Sequence, residues 1–164
     1  MKQDSRRPRE YLWMITPPIS VLSVYFALLA TVAFTDISHR IIPDELTLGG
    51  VILCLPLQVI GGNGSAAIAG CGTGYILFAL IRRTGRGFLG AGDVKLSALA
   101  GLCLGPFGWS LCMCAGSVAA LLYAAAGALN RLRSPSAALP FAPFILLGSV
   151  AVSACGRLLQ GVCA

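Results

Sequence analysis

Six acidic side chains occur in 164 residues: Asp4, Glu10, Asp36, Asp44, Glu45 and Asp93. Two of them abut long uncharged runs. Asp36 follows Ala33-Phe34-Thr35 at the end of a run that starts at Tyr11, and Asp93 lies in Gly90-Ala91-Gly92-Asp93, just ahead of a run that starts at Leu96. An ionisable group at membrane depth is costly and is a functional candidate by default. The plainer alternative makes both of them hydrated helix-end charges in the headgroup region, and position alone does not separate the two readings. The neighbours of Asp93 do help: Gly90 and Gly92 allow positive φ and close backbone approach, which leaves room for a substrate chain. Two carboxylates held close together cannot both ionise. One keeps its proton while the other acts as a base. Such a pair deprotonates a water, holds the attacking oxygen and protonates the departing amine, which is amide hydrolysis. It needs no metal and no cofactor, and none is expected here.

No competing constellation is visible. His39 is the single histidine, and no serine stands in a nucleophile-elbow context. Seven cysteines (Cys54, Cys71, Cys103, Cys112, Cys114, Cys155 and Cys163) lie in or beside apolar runs, with no Cys-x-x-Cys pair among them. With one histidine they do not complete a zinc site, and they read as small buried apolar side chains. Cys112 and Cys114 fall on different helix faces, against a shared ligand.

The elements that must position Asp36 and Asp93 follow from composition. Hydrophobic residues make up 57% of the chain and charged residues 11%, against roughly 25% charged in a soluble domain. The solvent of this chain is therefore lipid. The length suits one domain, residues 1–164, with residues 1–13 as a basic extension. The formal charge of +6 does not point to nucleic acid, because the basic residues lie between apolar runs and no basic face is interleaved with aromatics. The positive-inside effect accounts for them. The uncharged runs and their breaks predict an all-α, polytopic protein of about six helices, near 17–35, 45–60, 65–82, 94–105, 109–129 and 138–158. A full span needs about 20 residues. The fourth is too short to cross alone, and it is expected to start inside the protein, where irregular backbone is tolerated around a wet cavity. The loops at 36–45, 82–95 and 131–133 are charged, while the breaks at 61–64 and 105–108 are bare. Antiparallel spans place the charged loops together on the cytoplasmic side, with both candidate acids. Lys2, Arg6, Arg7 and Arg9 then precede the first span on the wrong side. Either the later loops outweigh them or translation begins at Met14.

Three segments carry a specific resemblance. Asp36-Ile-Ser-His-Arg-Ile-Ile-Pro43-Asp44-Glu-Leu-Thr-Leu resembles the first signature segment of the type IV prepilin peptidases. Gly90-Ala-Gly92-Asp93-Val-Lys95-Leu resembles their Gly-x-Gly-Asp motif, which presenilin-like membrane proteases share. Pro140-Phe-Ala-Pro143-Phe-Ile-Leu-Leu-Gly148 is similar to a late proline-containing helix of the family. The resemblance implies an aspartic endopeptidase of the inner membrane, multi-pass, with Asp36 and Asp93 as the catalytic pair. It also implies a prepilin or pseudopilin as substrate, cut after a glycine beside its apolar helix. The longer family members also methylate the new N-terminus and carry an insert with paired Cys-x-x-Cys motifs before the first segment. Nothing similar precedes Asp36 here, so a peptidase-only form without N-methyltransferase activity is expected, similar to those of Flp/Tad pili.

The supporting residues have plainer readings. Asp44 follows Pro43 and is expected to open the second helix, meeting free amides and the positive dipole end. Glu45 reads likewise. Lys95 is expected to snorkel to the interface, with a partnership to Asp93 as the alternative. His39 and Arg40 are expected in a solvated loop, and Pro140 and Pro143 at the start or a kink of the last helix. Two other functions compete: a small proton-coupled transporter using Asp36 and Asp93 as relay carboxylates, and an inactive assembly factor of the same fold. Against the transporter, both acids fall on one predicted side, and no inverted repeat is visible.

Overall fold

The computed structural model describes residues 19–39, 42–85, 89–129 and 141–163. Helices occupy nearly all of them: α1 (Ile19–His39), α2 (Asp44–Ile60), α3 (Gly64–Thr84), α4 (Ala91–Leu129) and α5 (Ala142–Cys163). No strand occurs among the described residues.

The length of α4 is the first thing to explain. At 1.5 Å per residue its 39 residues would reach about 58 Å, roughly twice the hydrocarbon thickness of a bilayer. It does not run straight. Gly105 has φ 70° and ψ 173°, a backbone state open to glycine, and Pro106 disfavours helical geometry in the residue before it. Trp109 Nε1 donates to Ser97 Oγ at 3.0 Å, whereas a straight helix would hold these residues about 18 Å apart. The chain therefore folds back at Gly105, and α4 is two antiparallel halves, 91–104 and 106–129. These are the predicted fourth and fifth helices, with the expected break at 105–108 concentrated in one residue.

The break leaves backbone groups to satisfy. Pro106 has no N–H for the carbonyl of Leu102. Gln58 supplies the donor from α2: its Nε2 donates to Leu102 O at 3.1 Å and to Cys103 O at 3.0 Å. Gln58 is 3% exposed. Gln58→Leu strips both carbonyls of this donor and is expected to cost about 1–2 kcal/mol. The check is a lower melting temperature of the detergent-purified protein, and an unchanged melt would show that Gln58 does not support the break.

The remaining pairings are antiparallel. Along α3 and the first half of α4, Gly70 meets Gly101 and Gly74 meets Ser97. Along the second half of α4 and α5, Gly116 meets Phe144, Gly148 meets Cys112 and Gly108 meets Val152. Small residues at these crossings let the helix backbones touch, the main source of helix association where lipid is as apolar as the side chains. Buried hydroxyls bridge helices as well. Ser97 Oγ donates to Gly74 O at 3.2 Å, and Tyr25 of α1 shares a 2.8 Å hydrogen bond with Ser149 of α5.

The first half of α4 is the centre of the bundle, with every residue from 96 to 105 buried. The outer surface is apolar: Ile52, Ile60, Ile68, Ile76, Leu121 and Leu122 are all more than half exposed. So large an apolar surface marks contact with something other than water. By length and composition α1, α3 and α4 are able to cross a membrane, while the apolar stretch of α5, Ala142–Leu158, is shorter. This is a helical, polytopic integral membrane protein. The boundaries differ from expectation where helices meet the charged loops. Asp36 and His39 lie inside the last turn of α1, and Asp93 lies in the first turn of α4. Residues 1–18, Arg40, the 131–133 loop and Pro140 lie outside the described residues.

Candidate active site

Helix ends build the site. Gly90 precedes α4, which puts Asp93 at the third helical position. From there its carboxylate reaches back to the Gly90 backbone N–H, the reciprocal half of a capping box. Asp36 is placed less favourably by its own helix, since a carboxylate at a C-terminal end meets the negative pole of the dipole. Another helix compensates: Asp36 Oδ2 accepts a hydrogen bond from the backbone N–H of Ala142, the first residue of α5, at 3.1 Å. The carboxylate thus sits at a helix N-terminus after all, one that favours an anion. Asp36 is 7% exposed and Asp93 is partly buried. The two acids, 57 residues apart in sequence, lie within electrostatic reach of each other.

Each motif glycine has a spatial reason. A Cβ on Gly92 would stand 2.7 Å from Ile42 Cβ, so the first turn of α4 packs directly on the segment that follows Asp36. A Cβ on Gly90 would stand 3.2 Å from Asp93 Oδ2, crowding the carboxylate itself. Pro43 caps α2 in extended conformation, and Asp44 is the first residue of that helix, as expected. Asp44 also makes a contact that its spacing does not reveal: Lys95 Nζ lies 2.6 Å from Asp44 Oδ2. Lys95 therefore pairs with Asp44 rather than Asp93, and ties the first turn of α4 to the first turn of α2. Glu45 and His39 are exposed, His39 as the last residue of α1 rather than in a loop.

Sequence reasoning misses the Ala142 amide as a partner of Asp36. The signal available is Pro143, whose fixed φ suits the first turn of a helix. Nothing in the chain indicates that this turn closes on Asp36. Cys54, Cys103 and Cys112 are buried, whereas Cys114 and Cys155 face outward. Among the described residues, no three His, Cys, Asp or Glu side chains gather as a metal-binding group.

This arrangement can be set beside known proteins. Residues 23–125 match the model of the type IV leader peptidase family. A prepilin leader peptidase/N-methyltransferase of Bacillus subtilis (strain 168) is 31% identical over 129 residues, covering 77% of this chain and 52% of the relative. The chain belongs to the type IV leader peptidase family. It spans about half the length of the curated relative it matches. No solved structure gives a significant match.

Proposed function

We propose that the protein is an aspartic endopeptidase that removes the short basic leader from prepilins or pseudopilins at the cytoplasmic face of the inner membrane. The observation that carries this reading is the placement of Asp36 and Asp93. Two carboxylates from separate helices stand at helix N-termini, at one end of the bundle, within electrostatic reach. The pair shares one proton. The ionised member takes a proton from a water as that water attacks the scissile carbonyl, and the protonated member donates to the carbonyl oxygen. Collapse of the tetrahedral species breaks the C–N bond, and the amine leaves with the proton. The pilin helix lies in lipid beside the bundle, so that only the leader junction enters the site. Asp44 and Glu45, exposed at the same end, offer negative charge to the basic leader. Both candidate acids at one end also make a poor relay across the bilayer, which weighs against proton-coupled transport. The protein is proposed to cleave without methylating the new N-terminus.

The test is co-expression with a leader-bearing prepilin, read by gel shift and N-terminal sequencing of the product. A mature N-terminus at the glycine junction is expected. If the wild type leaves the organism's prepilins uncut, the peptidase reading fails.

A second test addresses the packing of Gly92. Gly92→Ala pushes Ile42 and the Asp36 segment away from Asp93. A displacement of about 1 Å costs on the order of a hundredfold in rate, so cleavage is expected to fall by that order while the protein still accumulates in the membrane. Gly92→Ala combined with Ile42→Gly, which takes away the Cβ that the new methyl meets, removes the clash and recovers activity. Failure of the double variant to exceed the single one would show that the Ile42 contact does not set the site.

A further inference from the structure

Among the described residues, the end of the bundle away from the aspartates is almost bare of charge. Among the described residues its one charged side chain is Arg157 of α5, and the four described acids (Asp36, Asp44, Glu45 and Asp93) all lie at the other end. Arg157 stands at a cavity of about 260 Å³ between α1 and α5, lined by Phe26, Val150, Ser153, Ala154 and Arg157. Ser153 is 7% exposed, and its Oγ has no hydrogen-bond partner. This differs from Ser149 one turn earlier, whose Oγ donates to Ile145 O at 2.8 Å. A buried hydroxyl without a partner costs free energy, and Ser153 belongs to the wall of this cavity.

We propose that this groove binds an anionic phospholipid of the leaflet opposite the aspartates. Its phosphate sits on Arg157, an ester carbonyl on Ser153, and an acyl chain along Phe26 and Val150. The spacing suits this ligand. Ser153 and Arg157 are four residues apart and share one face, about one helical turn from each other along the axis. A phospholipid carries its ester carbonyls about that far below its phosphate, on the acyl-chain side. The depth agrees. Arg157 lies 15 residues beyond Ala142, which contacts Asp36, so its Cα is about 22 Å below the aspartates. In a hydrocarbon layer of about 30 Å a long side chain from that depth reaches the far headgroups. Ser153 stays one turn deeper, where ester groups and not water are found. Charge sets the preference: a guanidinium with no carboxylate beside it among the described residues favours a lipid whose headgroup lacks a competing ammonium.

The experiment uses the full chain, purified in detergent and titrated with phosphatidylglycerol or phosphatidylcholine, read by native mass spectrometry and by melting temperature. Wild type is expected to retain phosphatidylglycerol about tenfold better than phosphatidylcholine, the scale of one charge-assisted hydrogen bond. Arg157→Gln removes that preference. Ser153→Ala weakens retention of both lipids several-fold but leaves the lipid-free protein at least as stable, because it deletes an unpartnered hydroxyl. Arg82→Gln, at the exposed end of α3, serves as the control and keeps wild-type preference. Equal retention of the two lipids by wild type, or an undiminished preference in Arg157→Gln, overturns the proposal. So does displacement by soluble glycerol phosphate at concentrations matching the lipid, since the groove would then recognise a phosphate without its chain.

Discussion

Asp36→Asn and Asp93→Asn are each expected to abolish leader removal, by at least about a thousandfold, because in the proposed mechanism each deletes one half of the proton relay. Asparagine is the informative replacement because both carboxylates also hold structure. Asp36 accepts the Ala142 N–H at the start of α5, and Asp93 accepts the Gly90 N–H at the start of α4. An amide oxygen keeps each of these bonds and removes only the acid–base chemistry. The expected result is therefore inactive protein at wild-type membrane level with a wild-type melt. Asp36→Ala adds the loss of a helix cap, about 1 kcal/mol, and is expected to be less stable as well as inactive. Asp44→Asn is the control. The amide it introduces still offers an oxygen to Lys95 and an uncharged start to α2, and a half-exposed ion pair contributes little, so cleavage persists within a few-fold. Processing by either Asp36→Asn or Asp93→Asn at wild-type rate would end the aspartic mechanism.

Gly101→Val prevents the bundle from assembling. A Cβ at Gly101 meets the carbonyl oxygen of Gly70, and a Cβ at Gly70 meets that of Gly101. The obstacle on each side is backbone held in helical hydrogen bonds, so no side-chain rotation relieves it. Overpacking a core costs about 1–3 kcal/mol where side chains can shift. Here α3 and the central half of α4 must separate along their whole seam, and the expected loss is about 3 kcal/mol or more. The measurement is the yield of monodisperse protein and its melting temperature. Gly72→Ala on the same helix as Gly70 has nothing within 4 Å of the added Cβ and should match wild type. If Gly101→Val purifies and melts as wild type does, the close Gly70–Gly101 crossing is wrong.

The contrast between Gly72 and Gly70 illustrates what a sequence withholds. Both are glycines on an apolar helix two residues apart, and nothing local distinguishes them. Only the position of Gly101 makes one indispensable and the other replaceable. Gln58 is similar. A lone amide in an apolar run reads as a polar residue awaiting a partner, but the partner is two carbonyls on another helix, left open by the break at Gly105 and Pro106. Lys95 has two roles open to it by spacing, and its actual partner, Asp44, comes from a helix end 51 residues earlier.

By itself the sequence determined the lipid-facing composition, the helix-forming runs and their breaks at 61–64 and 105–108, because solvent and backbone chemistry act locally. It also singled out Asp36 and Asp93, since a carboxylate beside an apolar run is costly wherever the rest of the chain goes. The sequence also placed both acids on one side; the tertiary structure alone decided that they come within electrostatic reach of each other, that Asp36 borrows the N-terminus of α5, and that Ile42 seats the Gly92 turn. Those contacts join residues between 50 and 106 positions apart. Helix periodicity carries no information over such distances, and interdigitation of whole helices is what sets them.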